Sequence, residues 1–373
     1  MKELRELFPI TKEYTFLNCA AVSPLALPVK EAIEKCVRDQ YERGTWAYIE
    51  EWHECEARVR EKLARLIGAS AQEIALLGNT SDGLATVASG LEWSEGDTVV
   101  ICNLEFPANV YPWLNLQERY GVQVRIVRAR DGRVLAEDLF GAADDTAKLI
   151  AVSYVQWTTG LRMGLESIGE FCEERGIYFV VDAIQGLGAL PFDAGRFGVD
   201  FMSAGSYKYL LGPLGVGCFY CRKEVLTDVW PSRVGHRNVL DDMTLDYKLD
   251  LWPSAKRFEA GAMNYLGLHG LDASLEIIER AGVENIERHV LRLTDLLIEG
   301  VQAKGYRVVS SLVPEERSGI VAFGHPAYPS EELFQTLTEA KVVVSLREGA
   351  IRASAHLYNN EEDIERLVET LPQ

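Results

Sequence analysis

Four short segments carry side chains that could do chemistry. Lys208 lies in Gly205-Ser206-Tyr207-Lys208-Tyr209-Leu210-Leu211-Gly212-Pro213, among aromatic and aliphatic residues and ahead of a Gly-Pro turn. Partial desolvation lowers an amine's pKa and suits it to Schiff-base chemistry, although a single lysine more often lays its stem on apolar surface with its head in water. Asp182 directly follows the apolar Tyr178-Phe179-Val180-Val181 and precedes Ala183-Ile184-Gln185. An acid there stands at a strand end facing whatever binds, or else serves a turn. Thr80 and Ser81, in Gly78-Asn79-Thr80-Ser81-Asp82-Gly83, offer hydroxyls and free N–H groups to an anion at a helix start, or simply cap that helix. Arg352 alternates with apolar residues in Gly349-Ala350-Ile351-Arg352-Ala353-Ser354 and needs an anion, either a structural carboxylate or a substrate's. Together, a Schiff-base lysine, an acid for a pyridinium nitrogen, a phosphate cup and a carboxylate-binding arginine are the parts that pyridoxal phosphate chemistry on an amino acid requires.

Such groups must be held by an element pattern that places them at one edge. Short, near-continuously apolar runs at 73–77, 98–102, 148–153, 177–181 and 201–204 alternate with helical stretches at 80–91, 108–120 and 165–175. Strands covered on both faces read this way, so the expected body is α/β, a mostly parallel sheet sandwiched by helices. Ligands of such sheets bind beyond the carboxyl ends of the strands. A helical pattern spans 27–68 ahead of it. Near residue 260 the texture changes to two long helical stretches, 264–281 and 283–304, then separated strands at 307–309, 319–323 and 342–345 and a final helix from Glu361. This predicts a large domain over 20–259 and a smaller α+β domain formed by 1–19 with 260–373.

Composition excludes several classes. The 373 residues are 47% apolar and 25% charged, an ordinary globular balance that rules out disorder as the main state. The net charge of −18, with no long Lys/Arg cluster, argues against nucleic acid as a partner. No run approaches the ~18 apolar residues of a spanning helix, so no membrane partner is expected. The start, MKELRELFPITKEYTFLN, has no apolar signal region, and seven irregularly spaced cysteines read as reduced thiols, which together predict a cytoplasmic protein. Cys218-Phe219-Tyr220-Cys221 looks like half a zinc site, but positions three apart on a strand point to opposite faces. No metal is expected. Gly212, Gly215 and Gly217 make no dinucleotide fingerprint.

The order and spacing of these segments, with 26 residues from Asp182 to Lys208, resemble the class V aminotransferases of PLP fold type I, a group that includes cysteine desulfurases, isopenicillin N epimerase-like proteins and kynureninases. The resemblance runs from Phe16-Leu17-Asn18-Cys19-Ala20-Ala21 through Arg257-Phe258-Glu259-Ala260-Gly261 to Tyr358-Asn359. It implies that Lys208 carries the cofactor, Asp182 pairs with the pyridine N–H and Gln185 bonds the phenolic oxygen. It also implies that Thr80, Ser81 and Tyr207 hold the phosphate, Phe106 stacks on the ring, and Arg352 clamps the substrate's α-carboxylate. Asn18 and His236 are further substrate contacts by resemblance. Members are usually homodimers with the cleft at the subunit interface, where the segment around Gly261 reaches the neighbour's phosphate.

Departures from the relatives narrow the reaction. Desulfurases carry a nucleophilic cysteine on a loop of the C-terminal domain, whereas every cysteine here lies at or before Cys221. They also place a histidine over the ring, where this chain has Phe106. A persulfide-forming desulfurase is therefore disfavoured. Ala262 stands where relatives have a threonine, removing one phosphate hydroxyl, and Gln156-Trp157 replaces Ser-Asn. The expected function is a PLP-dependent transamination of a small α-amino acid. Epimerase-like chemistry or C–S β-elimination are the alternatives, and a non-catalytic fold relative is the remote one.

Overall fold

The computed structural model describes every residue except Asp242 and Asp246. Its main sheet has seven strands in the order Ile74–Leu77, Gly217–Cys221, Phe201–Gly205, Tyr178–Asp182, Ala147–Ser153, Thr98–Cys102 and Gln123–Val127. All run parallel except Gly217–Cys221, which is antiparallel to both neighbours. The interior strands Thr98–Cys102, Phe201–Gly205 and Gly217–Cys221 are buried at every residue, because helices cover both faces and leave no solvent side to alternate towards. This is the expected mostly parallel α/β sandwich.

Two strands lie outside the expected list for opposite reasons. Gln123–Val127 sits at the sheet edge, where Gln123 and Ile126 are exposed and the polar Gln123 and Arg125 break the apolar run. Gly217–Cys221 alternates its side chains between two separate cores, Cys218 and Tyr220 into one and Phe219 and Cys221 into the other. The two thiols therefore stand on opposite faces and share no ligand. The helical stretch 27–68 is not continuous either. Gly44 takes a φ of 53°, a conformation open chiefly to glycine, and it separates Leu27–Arg43 from the helix His53–Leu66.

A second, four-stranded antiparallel sheet is ordered Ser345–Arg347, Ala350–Ser354, Ile320–Gly324 and Arg307–Val308. Its own core brings Leu293, Leu297, Phe323, Ile351 and Leu367 together beneath the helices Val283–Ala303, Ser330–Glu339 and Glu361–Thr370. The 342–345 run divides. Val342–Val343 pairs in parallel with Thr15–Phe16, while Ser345 turns into the second sheet. Arg5 reaches Asp363 at 2.7 Å, and Asn18 bridges to Ser354, so the N-terminal segment is laced to the C-terminal one. Helix Tyr265–Ala281 packs on Leu27–Arg43 and His53–Leu66 and contributes its apolar face to the main core.

Candidate active site

Asp182 ends its strand between Ser153 and Ser203 on the neighbouring strands, at the carboxyl edge of the main sheet. Its side chain is only 2% exposed and accepts one hydrogen bond, from the Ile184 N–H to Oδ1 at 3.0 Å. Burial raises its carboxyl, while that N–H and the nearby Lys208 act against the rise. Lys208 follows Phe201–Gly205 by three residues. Its Nζ makes no hydrogen bond or ion pair among the described residues and lies 5.6 Å from the Phe106 ring centroid and 5.7 Å from that of Tyr207. Burial lowers the amine below its ordinary value, and Asp182 is the strongest charge opposing that. Both groups are thus held dry and facing one another, without the satisfied ion pair that a purely structural pair would make.

Beside them, the first turn of helix Thr80–Gly90 opens on the same edge. Its cap is Asn79, whose Oδ1 accepts the Asp82 N–H at 2.9 Å, so neither Thr80 nor Ser81 is consumed as the N-cap. Buried Thr80 is tied to the adjoining strand: its Oγ1 accepts the Gly205 N–H at 2.9 Å and its carbonyl accepts from Ser203 Oγ. Ser81 is exposed, and the leading N–H groups of the helix have no intrahelical acceptor. Tyr207 is half-buried. Gln185 donates from Nε2 to the Ala20 carbonyl at 3.1 Å and leaves Oε1 buried without a partner. The singly bonded Asp182 and the open helix start are what a bound pyridine N–H and its phosphate would complete, and the second N–H of Gln185 Nε2 is the donor a phenolic oxygen needs.

Phe106 is 39% exposed and meets Trp157 edge-on at 5.3 Å. Its position rests on Glu105, which points the other way into the core. Glu105 accepts from the Ser153 N–H (3.0 Å) and Oγ (2.5 Å), from Asn109 Nδ2 (2.8 Å) and from Gln156 Nε2 (2.7 Å). Gln156 is therefore engaged with Glu105. Glu105 lies outside the sequence expectation, although an acid at the end of the 98–102 run was the available sign.

Arg352 is 2% exposed, on the strand Ala350–Ser354. One guanidinium nitrogen donates to the Trp157 carbonyl at 2.6 Å and another to Ser345 Oγ at 3.4 Å, while Nε is buried and unpartnered. No carboxylate pairs with it among the described residues, and burial lowers its pKa from 12.5 to about 10. Asn18 joins this group through its Oδ1, which accepts from Ser345 Oγ at 2.7 Å. The hairpin carrying Arg352 closes on only Glu348 and Gly349, both at positive φ (47° and 73°), as a two-residue hairpin turn demands. A long cysteine-bearing loop has no room between these paired strands.

The structure gathers Lys208, Asp182, Phe106 and Tyr207, with Thr80, Ser81 and Gln185 on the same sheet edge and Arg352 with Asn18 across from them. It does not bring the remaining expected residues there. His236 is exposed and lines a separate cavity with Tyr48, Trp252, Ala262 and Tyr265. Its neighbour Arg237 is held by Glu56 at 2.7 Å. Gly261 has open space around its Cα.

The model of the family described as Aminotransferase class-V matches residues 15–367. A probable cysteine desulfurase of Methanothermobacter thermautotrophicus is 31% identical over 399 residues, covering 100% of this chain and 97% of that protein. An uncharacterized aminotransferase, YcbU of Bacillus subtilis, is 28% identical over 379 residues, covering 99% and 97%. Among solved structures, the apo cysteine desulfurase of Thermococcus onnurineus NA1 matches with a TM-score of 0.89 at 27% identity, over 99% of this chain and 96% of that one. The cystine C–S lyase C-DES shares the fold, with a TM-score of 0.91 at 24% identity over 97% and 98%.

Proposed function

The chain belongs to the class-V aminotransferase family, the pyridoxal-phosphate-dependent enzymes of fold type I, and from that premise we propose that it transaminates a small α-amino acid. The observation that carries this reading is the dry Lys208 opposite Asp182, outside any ion pair, with the guanidinium of Arg352 paired to no carboxylate among the described residues. Bound cofactor supplies an electron sink for charge developing at the substrate Cα. In this reading Lys208 would be the residue that holds the cofactor and would move the proton at the substrate Cα; its depressed basicity suits both tasks. Asp182 keeps the proton on the pyridine nitrogen. Gln185 would donate to the phenolic oxygen through the second N–H of Nε2, the first being held by the Ala20 carbonyl. Thr80, Ser81 and Tyr207 hold the phosphate, and Phe106 covers the ring. Arg352, steadied by Ser345 and Asn18, orients the α-carboxylate through paired charge-assisted bonds.

Phe106 presents hydrocarbon where two-base epimerisation would need a second acid–base group, which favours transamination. Action on a C–S bond is the second reading, supported by the cysteine desulfurase names of relatives at 31% and 29% identity. A persulfide on this chain finds no nucleophile. All seven thiols are buried, and Cys19, whose Sγ donates to the Lys208 carbonyl, has its thiol pushed far above the ordinary range by burial. Sulfur would have to leave by β-elimination.

We further infer a homodimer. Tyr41, Trp46, Ile49, Tyr111, Met243 and Leu245 are large apolar side chains left exposed on one protomer, and a second copy would cover such a surface. There Gly261, Ala262 and His236 would serve the neighbouring site. In this reading 20–259 form the large domain, 1–19 with 260–373 the small one, and the reduced thiols suit the cytoplasm. No helix among the described residues is long and apolar enough to cross a membrane.

The test is the visible absorption of the cofactor-loaded protein, wild type and Lys208→Ala, titrated with a panel of amino acids. Transamination predicts a band absent from Lys208→Ala, bleached by one amino acid without keto acid, and turnover that requires keto acid. Pyruvate and sulfide released from cysteine without keto acid would establish elimination instead. A band unchanged in Lys208→Ala would overturn the assignment of the lysine.

A further inference from the structure

Arg347 stands in the same hairpin as Arg352, and the pairing decides which way it faces. Ser345 is opposite Arg352 and Arg347 is opposite Ala350, so all four project from one face of the hairpin, while Leu346 and Ile351 turn to the core on the other. Arg347 and Arg352 are thus diagonal cross-strand neighbours, with backbones roughly 7–8 Å apart. Arg347 is half-buried. Its only hydrogen bond is to the Leu346 carbonyl, and no carboxylate pairs with it among the described residues. It repels both Arg352 and Lys208. Among the described residues, Arg347, Arg352 and Lys208 thus make no ion pair around this cleft, and Asp182 offsets the charge of Lys208 alone.

That arrangement is costly when empty and is relieved by two negative charges rather than one. Arg347 also lines a cavity of about 630 Å³ whose wall includes Arg307, His325, Leu104 and Thr158, the last two adjoining Glu105 and Trp157 in the chain. Glu348 is its single carboxylate and is exposed at the turn. We propose that Arg347 is the side-chain specificity residue of this site. It would select α-amino acids, or the matching α-keto acids, that carry a second acid group, with the α-carboxylate on Arg352 and the distal carboxylate on Arg347. The proposal rests on the reading of this cleft as the amino-acid site and adds to it the class of substrate.

Two measurements separate this proposal from that reading. In the first, the loaded enzyme is assayed with aspartate against asparagine and glutamate against glutamine, in wild type and Arg347→Gln. One charge-assisted contact is worth about 10- to 100-fold in kcat/KM. The wild type should favour the acids by that factor, and Arg347→Gln should lose it for the acids alone. In the second, the melting temperature is followed with glutarate or butyrate, neither of which can react. Glutarate should raise it more than butyrate in the wild type, and equally in Arg347→Gln. Turnover of amino acids with acids and amides used alike would overturn the Arg347 proposal and leave the cleft's function standing. If no amino acid is turned over, the glutarate shift decides: a shift lost in Arg347→Gln supports the dianion site, and no difference between the dianion and the monoanion refutes it.

Discussion

Arg352→Met keeps the length of the side chain and removes its charge and donors, and so separates a substrate role from a structural one. In the structure the guanidinium has a strong bond to the Trp157 carbonyl, a weak one to Ser345, and no counter-ion among the described residues. The lowering of its pKa from 12.5 to about 10 corresponds to roughly 3 kcal/mol against the charged form. Removing the charge relieves that cost, and the lost bond to Trp157 gives back about 1.5–3 kcal/mol. The two nearly cancel, so the melting temperature should stay within about 3 °C of wild type. Substrate binding has no such compensation. Losing one partner of a buried bidentate charge pair costs about 3–5 kcal/mol, which is roughly a few hundred- to a few thousand-fold in kcat/KM. The assays are a thermal melt, the cofactor's visible spectrum (expected to be unchanged) and steady-state kinetics on the best amino acid. A melt lowered by more than about 6 °C with kcat/KM retained would show that Arg352 is a structural cation and that the reasoning is wrong.

Two further outcomes follow from buried groups near the site. His356 is fully buried, with Nε2 donating to the Tyr209 carbonyl and Nδ1 accepting from the Leu357 N–H, and its pKa falls from 6.5 to about 4. The unfolded chain takes up this proton first, so its contribution is intact above pH 6.5 and lost as pH falls towards 4, roughly 3 kcal/mol in all. Denaturant unfolding across that range should show the slope, His356→Gln should flatten it, and an unchanged slope in the variant would contradict the assignment. Glu105→Gln sets an amide N–H against the donors of Ser153, Asn109 and Gln156. Unfolding free energy should drop by about 3 kcal/mol; a drop below about 1 kcal/mol would mean that the cluster repacks.

The order of elements was legible because fully buried strands must be apolar throughout and the helices between them must be amphipathic; these are local consequences of burial. So were the strand-end positions of Asp182 and Lys208, since the residue after an apolar run is where a strand meets its ligand edge. The edge strand Gln123–Val127 and the break at Gly44 were not legible, because solvent exposure and a single positive φ leave weak or ambiguous patterns.

The sequence by itself determined the class of chemistry. Lysine, aspartate, a helix-start hydroxyl pair and arginine at these spacings are a property of residue type and order, as is the lack of any cysteine beyond Cys221. Only the tertiary structure decided which of those groups are unsatisfied. Whether Arg352 meets a carboxylate, whether the Thr80 hydroxyl is held by Gly205, and where Glu105 points depend on residues tens to hundreds of positions away. It also set Arg347 beside Arg352, since a two-residue turn folds the chain back and puts residues five apart on one face. Pairing and burial are long-range facts, and the energy of a polar side chain is set by its partners rather than by its neighbours in the chain.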